Sequence, residues 1–437
     1  MALQQYFRTG KIATLKKLVF FLLVSLGLRV PAVCAQSIVL NGKPDPGVNY
    51  TELQQIDSVM KVYLDKNWLK GAETLVIKSG QVIQYKGYGF ADVEGKKPMS
   101  RDAMFRIMSQ TKAITSAAVL ILFEQGKLLL DEPVGDFIPE FKHQLVVDVY
   151  RAADTSFTTV PAKRDITIRD LLTHSSGLDY ADIGTPMGKA IYAKAGIPSG
   201  LGHINGTLLE KMKLLGKLPL TFQPGEKWQY GLNVDLLGCL VEVISGMPLD
   251  QFFQQHLFTP LGMKDTYFNV PASKGSRLAA VYTEDSTGKI IPWSHTFRHL
   301  DPDYPLHKTS YFSGGAGLTS TAMDYAVFLQ MLLNGGIYNG QRILAPRSVQ
   351  LMTSGQLDFL YNGKDNFGLG FGITSAKSAS RNVRNEGAFN WGGYYGTTYW
   401  ADPKAHLIVL ILTQHSPNSH SDLFQKVENI IYSSLLK

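Results

Sequence analysis

A chain of 437 residues, 45% of them hydrophobic and 18% charged, is long enough for one large domain or two smaller ones, and its composition excludes a disordered polymer. The formal charge of +7 does not point to nucleic acid: five of the 43 basic residues (Arg8, Lys11, Lys16, Lys17 and Arg29) fall in the first 35 positions, which hold no acid, leaving 38 against 36 acidic residues. The two cysteines, Cys34 and Cys239, form no disulfide once the first segment is removed, and Cys239 reads as a small buried apolar residue.

The basic residues Arg8 to Lys17 precede an apolar run from Leu18 to Leu28 that ends near Pro31, the pattern of a signal peptide. The run is shorter than the roughly 20 residues of a membrane span, and Val33-Cys34-Ala35 offers a cleavage point before Gln36. Residues 1–35 are therefore expected to be a leader and residues 36–437 the exported mature chain, periplasmic or secreted, with no stable membrane insertion. Lipidation of Cys34 is disfavoured by Val33 in front of it.

Apolar residues at helical spacing predict an amphipathic helix from Asn49 to Trp68. Glu73 to Lys78 and Gln81 to Lys86, joined by Ser79-Gly80, predict an antiparallel hairpin. The apolar run Ile114 to Phe123 predicts a helix closed near Gly126. From Asp131 to about Phe268, helices joined by Gly/Pro-rich loops suggest a mainly helical subdomain. Strand character returns in Asn366 to Ile373, Thr397 to Ala401 and His406 to Thr413, ahead of a closing helix from Ser421 to Leu436, so the two ends of the chain share one α/β layer.

Ser109-Gln110-Thr111-Lys112 stands where the strands give way to the apolar helix. Residues three apart share a helix face, so Lys112 lies within reach of the Ser109 hydroxyl, and the N–H groups of a helix start are placed to hold an oxyanion. Serine becomes nucleophilic only when a neighbour takes its proton. The spacing alone is weak, since Ser58/Lys61, Ser286/Lys289 and Ser434/Lys437 share it, but only Ser109 opens an apolar helix after strands.

With these residues in view, the chain resembles the serine β-lactamase and penicillin-binding protein group, most closely its class C-like branch and the family VIII carboxylesterases. The resemblance spans roughly Leu75 to Leu412 and rests on Ser109/Lys112, the Leu171 to Leu178 loop, Pro224-Gly225 ahead of Trp228-Gln229-Tyr230, the Gly314 to Thr321 segment and Trp391-Gly392-Gly393. It implies an α/β (α+β) fold of the β-lactamase/transpeptidase type, an antiparallel sheet flanked by helices with an additional helical subdomain. It also implies that Tyr230 exchanges protons with Ser109; a phenol, which titrates near about 10, does so only if Lys112 favours the phenolate. Where lactamases place an asparagine two residues after the tyrosine this chain has Leu232, with Asn233 one place later, which either faces the site or starts a helix.

The group's Lys-Thr-Gly strand motif is replaced by Trp391-Gly392-Gly393. Its glycines permit close backbone approach, so that the N–H of Tyr394 joins that of Ser109 as an oxyanion pair, while Trp391 replaces the cation with an apolar wall. Lys308-Thr309-Ser310 imitates the missing motif but comes too early in the chain. The expected activity is ester cleavage through an acylated Ser109, on a small-molecule ester or amide and without a cofactor. The alternatives are a D-Ala-D-Ala-type peptidase or weak β-lactamase, which would need Lys308 or Arg384 to reach the site, and a non-catalytic sensor. No Gly-x-Ser-x-Gly, His-Glu-x-x-His, Cys-x-x-Cys or phosphate-loop motif is present; His174 reads as structural and His295/His299 as a solvated pair rather than as metal ligands. Oligomeric state is not encoded in any of these motifs.

Overall fold

The computed structural model describes residues 37–202, 204–294, 300–357 and 364–436. The expected leader with Cys34, and the pair His295/His299, lie outside these residues.

The predicted first helix is two, α1 (Tyr50–Leu53), capped by the Asn49 side chain, and α2 (Gln55–Asp65); together they turn Leu53, Ile56, Met60 and Tyr63 inward. The hairpin forms as β1 (Gly71–Lys78) and β2 (Gln81–Asp92). Its turn residues Ser79 and Gly80 have φ of 49° and 73°, the pair of left-handed conformations that matches strand twist. After β3 (Lys97–Pro98) comes α3 (Thr111–Glu124). Residues 111–122 of α3 are all buried, which explains why its apolar residues surround the helix instead of forming a stripe.

Between residues 131 and 268 the structure contains α4 (Ile168–Leu172), α5 (Pro186–Lys194), α6 (Leu208–Leu215), α7 (Asn233–Ser245) and α8 (Leu249–Phe253). The same stretch holds a hairpin absent from the expected pattern, β4 (Leu145–Arg151) paired with β5 (Ser156–Pro161). Both of its arms are largely exposed, so the inside/outside alternation that marks a strand is missing and only the run of β-branched residues announces it. Farther on are α9 (Ala322–Leu333), β6 (Asn366–Phe367), β7 (Gly372–Ile373), β8 (Phe389–Gly393), β9 (Thr397–Asp402), β10 (Leu407–Leu412) and α10 (Asp422–Ser433). The expected strand from Asn366 to Ile373 is instead a small hairpin, turned at Gly370 with φ of 102°.

The main sheet is antiparallel throughout, in the order β6-β7-β8-β9-β10-β1-β2-β3, so strands from both ends of the chain lie side by side. One face carries Ala72, Val76, Trp400, Val409 and Ile411 against α1, α2 and α10. The other carries Leu75, Ile77, Tyr399, Ile408 and Leu410 against α3 and α9. The result is an α/β fold with helices on both faces of the sheet. Among the described residues no single helix is long and apolar enough to cross a membrane. Cys239 is a free, buried thiol in α7, and burial raises its pKa.

A buried acid on β1 breaks the apolar pattern. Glu73, on the β1 face shared with Leu75 and Ile77, is fully buried beside the Tyr85 side chain. Burial pushes its pKa from 4.5 to about 8, so the folded protein holds Glu73 protonated at pH 7. A raised folded-state pKa favours folding at low pH and removes that stability as pH climbs from 4.5 to about 8. Glu73→Gln should therefore lose less stability than the parent between pH 5 and pH 9, measured as urea midpoints at the two pH values. Equal losses would contradict the assignment.

Candidate active site

The chain enters the site through a fully buried arginine. The Arg106 guanidinium donates to the carbonyls of Pro302 and Ala279, to the Gln414 side chain 3.3 Å away and to Asp303, and charge-assisted bonds of this kind are worth roughly 1.5–3 kcal/mol each. Two residues on, Met108 has φ of 49°, a left-handed conformation costly for a residue with a side chain. Packing holds it: Met108 is buried among Trp293, Leu300, Tyr304 and Tyr395. Ser109 follows in a single 3-10 turn, Met108–Gln110, just ahead of α3.

The Ser109 hydroxyl accepts two hydrogen bonds, from the Tyr230 hydroxyl at 2.7 Å and from Lys112 Nζ at 3.2 Å. Lys112 is fully buried and also donates to the Gly315 carbonyl at 2.8 Å. Its ammonium lies 4.6 Å from the Tyr230 ring centroid and 5.7 Å from that of Tyr180, within cation–π range. A side chain at position 315 would bring its Cβ to 2.6 Å from the Asp235 carboxylate, so glycine lets this carbonyl approach. Burial raises the Asp235 pKa to about 6, while Lys112 and the hydroxyls of Ser313 and Tyr311 pull it down.

Tyr230 sits in an aromatic cage. Its ring centroid lies 4.9 Å from His174, 5.3 Å from Tyr180, 5.7 Å from Trp391 and 6.1 Å from Trp228. Burial, with the Lys112 charge adding to it, lowers the His174 pKa well below the ordinary range, so the ring is neutral, and Asn233 Nδ2 lies 3.0 Å from its Nδ1. Gly392 and Gly393 end β8, and a Cβ on Gly393 would stand 2.4 Å from the Ile107 carbonyl; glycine brings the strand end against the backbone leading to Ser109. Tyr394 begins the turn to β9, its ring 6.3 Å from Trp293. Among the described residues no group of three or more His, Cys, Asp or Glu side chains is placed to hold a metal ion.

Residues 56–428 match the family described as Beta-lactamase. The chain belongs to the beta-lactamase family. It is a serine hydrolase of that family. Protein Rv1367c from Mycobacterium tuberculosis is 37% identical over 375 residues, 82% of this chain and 89% of the relative. Esterase EstB from Burkholderia gladioli is 32% identical over 374 residues, again 82% and 89% of the two chains. Among solved structures, EstCE1, a hydrolase with promiscuous acyltransferase activity, superposes with a TM-score of 0.75 at 28% identity, covering 87% of this chain and 99% of its own.

The structure brings Ser109, Lys112 and Tyr230 into one hydrogen-bonded group, sets Trp391 beside it and lays Gly392, Gly393 and Tyr394 along its edge. It does not bring Asn233 to Ser109. Asn233 is the buried first residue of α7, and its side chain joins His174 and Ser176, because Leu232 fills the core position ahead of it. Neither candidate cation arrives. Lys308 is exposed on a loop, and Arg384 is paired with Glu428 and stacked 4.8 Å from Trp400, on the far side of the sheet. The other Ser-x-x-Lys matches fall elsewhere: Lys61 pairs with Asp65 on α2, and Ser286 lies in the turn between the strands Tyr282–Glu284 and Ile290–Pro292. Tyr180 and Phe367 were not singled out from the sequence; Tyr180 follows the Leu171 to Leu178 loop by two residues, which was the available signal.

Asn233→Leu keeps the shape but removes the partner of His174 Nδ1 and the acceptor of the Ser176 hydroxyl. A destabilisation of about 1–3 kcal/mol is expected, read as a lowered urea midpoint with an unchanged slope. An unshifted midpoint would mean that this link is immaterial.

Proposed function

We propose that this serine hydrolase cleaves carboxylic esters through an acyl-enzyme on Ser109. The observation that carries the reading is the Ser109 oxygen held at once by a phenol at 2.7 Å and an ammonium at 3.2 Å, with Trp391 at the position of the lactamase cation. Acting as the phenolate, with the buried Lys112 ammonium beside it as counter-charge, Tyr230 takes the Ser109 proton as the Ser109 oxygen attacks the ester carbonyl. The backbone N–H groups of Ser109 and Tyr394 hold the carbonyl oxygen as it becomes an oxyanion. Tyr230 returns the proton to the departing alcohol, and water repeats the sequence to release the acid. The apolar wall of Trp391 and Phe367 favours a neutral acyl group, and the likeness to an esterase supports the same choice.

Ser109→Ala should abolish turnover of 4-nitrophenyl butyrate, while Lys112→Ala and Tyr230→Phe should each lower kcat by roughly 10²–10⁴-fold, with a chromogenic cephalosporin turned over slowly by the parent. Cephalosporin cleavage faster than ester cleavage would replace this reading with a lactamase, and ester turnover surviving in Ser109→Ala would remove Ser109 from the mechanism.

We also propose that residues 1–35 direct export and are removed, on the strength of the basic and apolar pattern before Val33-Cys34-Ala35. Protein recovered from the periplasm or medium of an expressing bacterium should begin at Gln36 by N-terminal mass analysis; an intact Met1 start on cytoplasmic protein would overturn export.

A further inference from the structure

The strand motif lacks a cation, and a cavity beside its end carries one. A cavity of about 700 Å³ opens beside Tyr394, walled by Ile183, Leu201 and Leu300 and carrying two charged side chains, Lys189 and Asp182. It is joined to the reaction centre at two places. Leu300, Leu201 and Tyr394 pack in one cluster with Met108, the residue before Ser109. On the other side, the chain that forms the Ala181–Ile183 wall leaves Tyr180, whose ring lies 5.3 Å from Tyr230 and 5.7 Å from the Lys112 ammonium. A substrate held at Ser109 and too large for the aromatic cage extends into this space.

Lys189 lies on α5, which is fixed by the Thr185 cap and by the buried residues Ile191 and Tyr192. The neighbouring acid, Asp179, is already engaged: its carboxylate accepts the N–H groups of Tyr180 and Thr185 and the Thr185 hydroxyl. Among the described residues Lys189 forms no ion pair, and it is exposed at the cavity rim. An ammonium beside the apolar side chains of Ile183, Leu201 and Leu300 recognises a single anionic group, whereas Asp182 on the same rim keeps the local charge balanced and disfavours a polyanion. We infer that the physiological ester carries one carboxylate on the part that enters this cavity, and that Lys189 selects it. This inference rests on the acyl-transfer reading of Ser109.

The test compares neutral 4-nitrophenyl butyrate with two anionic probes, the 4-nitrophenyl monoester of adipate and 3-carboxy-4-nitrophenyl butyrate, which put the carboxylate on the acyl and the leaving-group side respectively. For one of these probes, Lys189→Glu should lower the ratio of its kcat/KM to that of the neutral ester by about tenfold, through KM, and Asp182→Asn should raise the same ratio. Ratios unmoved in both variants while the neutral ester is still hydrolysed would overturn the selection by Lys189 and leave the esterase standing. A parent inactive on all three esters would instead overturn the acyl-transfer reading, and this inference with it.

Discussion

A buried ammonium is the constraint around which the rest of the site is arranged. Lys112 has no exposure to solvent, and removing such a charge from water costs several kcal/mol unless its surroundings replace the lost hydration. Here they come from three distant parts of the chain: the Gly315 carbonyl, the ring faces of Tyr230 and Tyr180, and the Asp235 carboxyl behind Gly315. Each must approach closely, which is why a glycine-rich turn and an aromatic cluster meet at this point. The Ser109 hydroxyl completes the shell, so one side chain both organises the core and activates the nucleophile.

The sheet supplies the rigidity that this arrangement requires. Sandwiched between helix layers, β1, β9 and β10 cannot shift without opening two apolar interfaces. Gly393, paired with Thr397 on β9, is therefore a fixed edge against which Ile107 rests. Arg106 pins the same segment from the other side through carbonyls near 279 and 302. The left-handed backbone of Met108 is sustained between these two anchors, just ahead of the turn that carries Ser109 into α3.

Much of this was legible in the sequence because it is local. The β1–β2 hairpin follows from β-branched and aromatic residues frequent on both sides of Ser79-Gly80, α3 from an unbroken apolar run, and Ser109 with Lys112 from their spacing at a strand-to-helix junction. What was not legible depends on long-range packing. Asn233 carries nothing to distinguish a residue facing substrate from one bonded to a histidine 59 positions earlier. Arg384 resembles any other candidate cation until Glu428 and Trp400 are seen around it. The hairpin of residues 145–161 escaped because its side chains are exposed on both faces, and Glu73 looks like an ordinary strand acid until the helices close over it.

The stretch from His174 to Ile183 has two duties. His174 and Tyr180 cage Tyr230, and the last three residues, Ala181 to Ile183, line the cavity. Catalytic timing and substrate shape are thus written into ten consecutive residues. Changes that reshape the cavity wall will also disturb the cage, so beneficial substitutions here will show epistasis. New specificities are reached more readily through Leu201 and Leu300, which wall the same cavity but come from separate parts of the chain.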